Sequence, residues 1–329
     1  MLWVTWRHHR VALGGVVLFL GVLALWLWAT GLSVHHAFAA AVACRPVGSP
    51  NCSNLAIDFE STNSFLKGGF VLQPIPALIG AFVGPVVLAR EFETGTFRYA
   101  WTQGFGRWRW AAAKLVLLGV AVAGFAAAFS VLLSWYYQPY VAAQHAPNVA
   151  GASPFSAGLF DLQGPAFVGW TLAAFAIGVL AGMLIRRIVP AIVATLAAYT
   201  ALALLTANAF REHYMAPLAA KNLHIPSWAW ILSEWWTKGG TYAFESRLQL
   251  DLLPRLCPSA FSAGPHGGVS PSGAMTATQC LIQHGYVEWA TYQPISRFWP
   301  FQWIEGGCLL ALSALLVAAT VWLVRRRAA

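Results

Sequence analysis

Hydrophobic residues in this 329-residue chain are grouped in six long blocks, which short polar segments separate. A helix needs roughly 20 apolar residues to cross about 30 Å of hydrocarbon, and each block meets that length. Because a segment in lipid must satisfy its own backbone hydrogen bonds, each block predicts a helix. The blocks are residues 11–34, 69–89, 115–137, 165–185, 188–208 and 304–324. The pattern therefore predicts an all-α, polytopic membrane protein with six transmembrane helices.

The composition supports a lipid environment. Hydrophobic residues make up 58% of the chain and charged residues only 9%, whereas a soluble domain carries about 25% charged residues. The net charge of +9 comes from short clusters of Lys and Arg between the apolar blocks, not from one basic face. Such clusters are typical of a membrane topology signal and do not indicate nucleic-acid binding.

The basic clusters also predict the orientation in the bilayer. Alternate polar segments hold 12 of the 20 basic residues in roughly 40 to 45 positions, whereas the other segments hold eight in about 155 positions. Because Lys and Arg are enriched in cytoplasmic loops, we expect the first set and both termini in the cytoplasm. The 12 residues are Arg7, Arg10, Arg90, Arg98, Arg107, Arg109, Lys114, Arg186, Arg187, Arg325, Arg326 and Arg327.

This topology divides the chain into three regions. Residues 1–208 hold five helices, a first outer loop at 35–68 and a cytoplasmic coupling helix at 90–114. Residues 209–303 form an extracellular cap region, whose tryptophans predict interfacial helices near 228–236 and 275–289. Residues 304–329 form the last helix and a basic cytoplasmic tail. A signal peptide is the alternative for the first block, but its apolar stretch is longer than an ordinary signal sequence has.

Four of the five cysteines fall in segments predicted to lie outside the cell, where disulfides form. Pairs within one loop need no long-range docking, so the predicted disulfides are Cys44–Cys52 and Cys257–Cys280. Pairing between the two outer loops is the alternative. Cys308 falls inside the last apolar block, and we expect it to pack as a small apolar residue.

The cytoplasmic loop after the second block contains a candidate coupling helix. Thr94 and Gly95 indicate a turn, and Thr96 can cap a helix that follows it. Phe97 and Trp101 are four residues apart and therefore share one face of that helix. Paired aromatic residues suit docking to another protein chain. A plain anchor at the lipid headgroups is the alternative.

Two runs of sequence resemble the ABC-2 type permease family. The first is AREFETGTFRYAWTQ at 89–103, with a basic cluster before the next block, and the second is YQPISRFWPFQWIE at 292–305. Both look like permeases of high-GC Gram-positive bacteria. Six spans with both termini inside also match the family. The enlarged outer segment at 209–303 departs from it.

The resemblance implies one half of a twelve-span exporter in the bacterial plasma membrane, built as a homodimer or heterodimer of permeases with a separate ATPase. ATP and Mg²⁺ are then expected on the ATPase, since this chain has no GxxxxGK[ST] sequence. The ATPase is expected to dock on nine residues of the cytoplasmic loop. They are Glu91, Glu93, Gly95, Thr96, Phe97, Arg98, Trp101, Arg107 and Arg109.

Motifs of catalytic and metal sites are missing from the sequence. Neither HExxH nor GxSxG occurs, so we predict no catalytic residue, metal or cofactor in this chain. The predicted spans contain no Lys or Arg, and Glu305 is their one acid, at the edge of the last span. This pattern argues against the buried acid–base series of a proton-coupled carrier.

Three functions are compatible with these observations. The first is an export permease for an amphipathic substrate such as a drug, an antibiotic or a lipid. The second is a non-transporting relative that transmits ATPase movement to an extracellular partner, which the enlarged outer loops favour. The third is a membrane enzyme that acts on a lipid-linked substrate.

Overall fold

The chain forms two compact units. The computed structural model describes residues 2–46, 49–94, 107–146, 149, 151–221, 228–245, 256 and 279–327. One unit combines Met1–Tyr214 with Phe298–Ala329, and the other is Met215–Arg297. The first unit is helical and the second contains a β-sheet.

Helices build the whole of the first unit as far as the structure describes it. They are α1 (Leu2–Ala43), α2 (Pro50–Ser61), α3 (Ser64–Lys67), α4 (Ile75–Thr94), α5 (Arg107–Ala142), α6 (Ala157–Phe160), α7 (Gly164–Ile185), α8 (Ile188–Leu205) and α9 (Phe298–Arg327). After α8 the chain continues through a π-helical turn, Thr206–Phe210, and a 3-10 turn, Arg211–His213.

Among the described residues, five helices are long and apolar enough to cross a membrane. They are Leu20–Ala43, Ala111–His145, Gly164–Ile185, Ile188–His213 and Ile295–Arg326. The multi-pass character is therefore confirmed, but six spans are not. The second predicted span is a shorter apolar helix, Ile75–Ala89, because turns occupy residues 68–74 before it.

Helices α4 and α7 approach each other closely through small residues. A Cβ added at Gly80 would lie 2.4 Å from the backbone carbon of Ala174, and one at Gly178 would lie 2.6 Å from the carbonyl oxygen of Gly80. One turn further, a Cβ at Gly182 would lie 2.8 Å from the carbonyl oxygen of Pro85. Small residues spaced by four let two backbones pack directly in a membrane, where dispersion contacts replace the hydrophobic effect.

The second unit corrects the all-α prediction. Its four-stranded antiparallel sheet has the order β1-β4-β2-β3. The strands are β1 (Leu218–Lys221), β2 (Trp230–Lys238), β3 (Thr241–Glu245) and β4 (Tyr286–Gln293).

The prediction of interfacial helices near 228–236 and 275–289 is wrong where the structure describes those residues. The exception is a short helical segment at 279–283. Their tryptophans pair across strands: the rings of Trp235 and Trp289 stack with centroids 6.2 Å apart, and Trp236 packs against Phe244. Such cross-strand aromatic pairs stabilise sheets. The sequence does contain the hairpin signal, two adjacent glycines at 239–240 between apolar runs, and both adopt positive φ.

Candidate functional site

The cysteines near the first outer loop pair as predicted. Cys44 and Cys52 form a disulfide that joins the end of α1 to α2. Cys280 is also disulfide-bonded, and its predicted partner Cys257 lies outside the described residues. Cys308 falls within the apolar helix Ile295–Arg326, as expected, and carries a free thiol that is exposed on the surface of α9.

The structure describes the predicted coupling helix at 90–114 only at its two ends. Residues 90–94 belong to the end of α4, and residues 107–114 belong to the start of α5. Glu91 lies in α4 and Arg107 opens α5, whereas the side chains of both lie outside the described part of the structure. Arg109 is exposed, with its guanidinium 5.5 Å from the ring centroid of Trp108. The remaining predicted docking residues other than Glu93 lie outside the described residues, namely Gly95, Thr96, Phe97, Arg98 and Trp101.

Glu93 joins the end of α4 to the start of α8. Its Oε1 accepts a hydrogen bond from the backbone N–H of Ile188 at 2.9 Å. Ile188 is the first residue of α8, and the residue before it, Arg187, makes no side-chain cap. A helix N-terminus leaves N–H groups without partners inside the helix and has a positive dipole end, so a carboxylate stabilises it. A residue predicted to contact the ATPase thus also holds a second membrane helix.

Lys114 ties the start of α5 to the same end of α4. Its Nζ donates a hydrogen bond to the carbonyl oxygen of Val87 at 2.9 Å, and the side chain is buried. Together, Lys114 and Glu93 connect α4 with both α5 and α8 at one end of the bundle. The described ends of the segment between α4 and α5 are therefore held by defined contacts that join α4, α5 and α8.

A cluster of charged residues is buried at the opposite end of α7 and α8. We call it the Arg211 cluster; it consists of Asp161, Trp170, Arg211, Tyr214 and Glu305. Arg211 and Glu305 expose only 3% and 1% of their surface. Arg211 Nε donates to Glu305 Oε2 at 2.9 Å, and Nη2 donates to Oε1 at 2.7 Å. This bidentate geometry is the strongest form of an Arg–carboxylate pair.

Two further donors complete the shell of the glutamate. Trp170 Nε1 donates to Glu305 Oε1 at 2.8 Å, and the Tyr214 hydroxyl donates to Oε2 at 3.1 Å. Four hydrogen bonds to one carboxylate satisfy its oxygens without water. Both oxygens of the buried Glu305 carboxylate therefore have hydrogen-bond partners within the protein.

Asp161 occupies the outer position in the cluster. It follows α6 and accepts a hydrogen bond from Arg211 Nη2, while its Oδ2 accepts one from Gln73 Nε2 at 3.4 Å. The pKa of the Asp161 carboxyl is raised to about 7: burial is the largest cause, the Arg211 guanidinium lowers the pKa, and the Glu305 charge raises it. One guanidinium therefore serves two carboxylates.

Gln302 fastens the same end of α9 to α7. Its Oε1 accepts a hydrogen bond from the backbone N–H of Ala166 at 3.1 Å, and its Nε2 donates to the carbonyl oxygen of Phe160 at 2.7 Å. Gln302 and Glu305 are three residues apart and face α7 together. The second run of residues that resembles the permease family thus supplies the polar contacts between these helices.

The Arg211 cluster corrects the expectation that the spans lack a buried acid–base group. The sequence pattern assigned Arg211 to the outer region, Glu305 to the edge of a span and Asp161 to a loop. A charged residue in or next to an apolar block marks a candidate functional site. Arg211 and Glu305 have opposite charges and lie at the edges of two such blocks, so the sequence contained this signal. In the part of the chain that the structure describes, no group of His, Cys, Asp and Glu is arranged to hold a metal ion.

Comparison with known proteins places these features in a family. The family model described as "ABC-2 membrane transporter related" matches residues 17–211, which is more than half of the chain and includes Glu93, Asp161 and Arg211. No curated protein and no solved structure matches the chain significantly. The family match and the five apolar helices agree: this protein is a multi-pass membrane transporter subunit that belongs to the ABC-2 membrane transporter related family.

Proposed function

We propose that this chain is the membrane-spanning permease of an ATP-driven exporter whose ATPase is a separate chain that binds ATP and Mg²⁺. Membership of the ABC-2 family supports a transporter subunit. The observation that carries the coupling role is the hydrogen bond from Ile188 N–H to Glu93, because it links the proposed docking segment to a membrane helix that is distant in sequence. The host membrane is a bacterial plasma membrane.

Movement of the docked ATPase passes to the bundle through three contacts. Displacement of the end of α4 pulls on α8 through Glu93 and on α5 through Lys114. It also displaces α7, because the backbones of α4 and α7 touch at Gly80 and Gly178. Backbone contacts transmit displacement because tightly packed interiors have little free volume to absorb it.

The substrate proposed for this permease is amphipathic. A second permease chain completes the proposed substrate path through the membrane. Large apolar side chains on α5, α8 and α9 are exposed, for example Val120, Val193 and Leu315. Such surfaces suit contact with lipid, with a second copy or related permease, or with an apolar substrate. A homodimer or heterodimer of two such chains provides the twelve spans of the proposed exporter.

Purification in mild detergent tests the proposal directly. We expect an ATPase with a P-loop to co-purify with the tagged chain and to be identified by mass spectrometry. Purification without any P-loop protein, together with unchanged transport in cells that lack the candidate ATPases, would contradict the exporter assignment.

Replacing Glu93 with alanine is expected to lower transport-linked ATP hydrolysis while the chain still inserts in the membrane. The substitution removes a helix cap that contributes about 0.5–2 kcal/mol. This free energy corresponds to roughly a 2- to 30-fold change in the equilibrium constant of the contact. Glu93→Gln keeps an acceptor oxygen and is expected to lose less. The measurement is substrate-stimulated ATP hydrolysis of the reconstituted complex.

Asp58→Ala is the matched control for Glu93→Ala. Asp58 is also an exposed acid on a helix, but it lies on α2, away from the α4 end. If substrate stimulates ATP hydrolysis equally in Glu93→Ala, Asp58→Ala and the unsubstituted protein, the Glu93 contact does not transmit ATPase movement to the membrane helices.

A second candidate function is transmission of ATPase movement to an extracellular partner. The observation that favours it is the compact unit Met215–Arg297, which lies beyond the family match. Substrate efflux from proteoliposomes discriminates the two functions. A transmitter hydrolyses ATP in the complex and moves no substrate, whereas a permease moves it in proportion to hydrolysis.

A further inference from the structure

The Arg211 cluster contains one more negative charge than positive charge. Both Nε and Nη2 of Arg211 bind Glu305, whose oxygens also accept from Trp170 and Tyr214. Asp161 shares only Nη2, and its other hydrogen bond among the described residues comes from the neutral amide of Gln73. Because Glu305 accepts four hydrogen bonds and Asp161 only two, Asp161 is the carboxylate whose charge is less well compensated.

Asp161 is also the most exposed of the three charged members of the cluster. Its side chain is 20% exposed, compared with 4% for Arg211 and 1% for Glu305. A buried ion pair is stable only when its charges and hydrogen bonds are balanced. An additional carboxylate beside such a pair is most readily neutralised by a proton taken from the adjoining solution.

The titratable groups around Asp161 come from several segments. Arg211 follows α8 and Glu305 lies in α9. Tyr199 of α8 interacts electrostatically with the carboxyl groups of Asp161 and Glu305. The Tyr214 hydroxyl donates a hydrogen bond to Glu305. Gln73, from the turn before α4, contributes a neutral amide. Arg211 is the one cation among these groups and is already engaged by Glu305.

We propose that Asp161 is a proton-binding site of this permease, and that its occupancy determines how firmly Arg211 holds the segments that lead into α4 and α7. With the proton bound, the cluster contains a neutral carboxyl and a balanced Arg211–Glu305 pair. When the proton leaves to solution, Asp161 becomes a second carboxylate that competes for Nη2. No covalent bond changes in this exchange.

The raised pKa of Asp161 supports this assignment. Burial, the largest contribution, and the Glu305 charge both favour the protonated form, and they outweigh the Arg211 charge. The site therefore exchanges its proton near neutral pH, in a range that an ordinary aspartate, with a pKa of about 3.9, does not reach.

The position of the site has a consequence for the helix bundle. Asp161 accepts a hydrogen bond from Gln73 in the turn before α4, while Arg211 follows α8 and Glu305 belongs to α9. Helix α4 therefore has a proton-dependent contact near its start and the Glu93 contact near its end. Protonation acts on the same helix that the proposed coupling segment moves, but at the other end of it.

Infrared spectroscopy of the full chain in phosphatidylcholine nanodiscs tests the proposal. We expect a carboxylic-acid C=O band that is present at about pH 5.5 and disappears as the pH rises through about 7. Labelling with ¹³C-aspartate should shift this band, because only three aspartates occur, Asp58, Asp161 and Asp251. Asp161→Asn should abolish it, and Asp58→Asn should leave it unchanged.

Thermal unfolding of the unsubstituted protein supplies a second measurement that needs no variant. The folded-state pKa of Asp161 is raised above its unfolded value, so its contribution to stability is full at low pH and is lost as the pH rises through about 7. Asp161→Asn should flatten this dependence. The proposal is overturned if no aspartate-derived band titrates between about pH 5 and 9, or if the band persists in Asp161→Asn. Neither result depends on ATPase coupling, so the proposed exporter function is tested separately.

Discussion

Gly80→Ala destabilises the helix bundle, whereas Gly124→Ala leaves it as stable or slightly more stable. A Cβ at Gly80 would lie 2.4 Å from both the backbone carbon and the Cβ of Ala174, and 2.6 Å from the Ala174 carbonyl oxygen. Backbone atoms cannot rotate away as a flexible side chain does. Helices α4 and α7 must therefore separate to admit the methyl group.

The expected changes in stability differ in sign. Alanine is the better helix former at both positions, but overpacking opposes this gain only at Gly80. In an open helix position, Gly→Ala stabilises by about 0.8–1 kcal/mol, and no atom lies within 4 Å of a Cβ at Gly124. At Gly80 the same gain is opposed by overpacking, which costs about 1–3 kcal/mol or more. Gly178→Ala faces the same contact from α7 and is expected to behave like Gly80→Ala.

Thermal unfolding in detergent, followed by intrinsic fluorescence, measures this contrast. We expect Gly80→Ala and Gly178→Ala to unfold at lower temperature than Gly124→Ala, with larger residues at position 80 causing loss of folded protein. Equal unfolding temperatures for Gly80→Ala and Gly124→Ala would show that α4 and α7 do not pack backbone to backbone.

Loss of Arg211 is expected to destabilise the protein more than loss of Glu305. Arg211→Met leaves the carboxylates of Glu305 and Asp161 buried without a cation, and removal of one partner from a buried pair costs about 3–5 kcal/mol. Glu305→Gln leaves Arg211 with Asp161 as a remaining anion. Its cost is therefore nearer the roughly 1–3 kcal/mol of a weakened buried hydrogen-bond network.

A double-mutant cycle measures the coupling within the pair. In Arg211→Met with Glu305→Leu, the Glu305 carboxylate that Arg211→Met leaves without its cation is removed, so the combined loss should be smaller than the sum of the single losses. We expect a coupling of about 1–3 kcal/mol, which is typical of residues in one buried network. The readout is the free energy of unfolding in denaturant.

Glu212→Gln is the matched control for this cycle. Glu212 follows Arg211 directly, but its side chain is 45% exposed and its Oε1 lies 3.6 Å from Nδ1 of the exposed His213. An exposed substitution of this kind changes stability by no more than about 0.5 kcal/mol. If Arg211→Met is as mild as Glu212→Gln, the Arg211 cluster does not hold the helix ends together.

Much of the helical unit was predictable from local sequence. The apolar blocks at 165–185 and 188–208 coincide closely with α7 and α8, because the length of apolar sequence needed to cross lipid is a local property. The Cys44–Cys52 disulfide was also predictable, since its residues are only eight positions apart. The resemblance to the ABC-2 family rested on two short runs, 89–103 and 292–305, and the family model that matches residues 17–211 confirms it.

The sheet and the second span show where local patterns were misleading. Tryptophan-rich segments suit a membrane interface and a β-sheet equally well, because both environments leave one face of an aromatic residue buried and the other near water. The strand pairing that brings Trp235 onto Trp289 joins residues far apart in sequence. The turns before α4 likewise contain a contact to a residue far away in sequence, the hydrogen bond from Gln73 to Asp161.

The sequence by itself determined that this chain lies in a membrane, where its main helices run, and to which family it belongs, because these follow from apolar length and from contiguous motifs. Only the tertiary structure decided that Glu93 caps α8, that glycines bring α4 against α7, and that Asp161, Arg211 and Glu305 form one buried cluster. The physical reason is that the cluster residues are separated by 50 and 94 positions. The free energy of each charge depends on neighbours that only folding supplies.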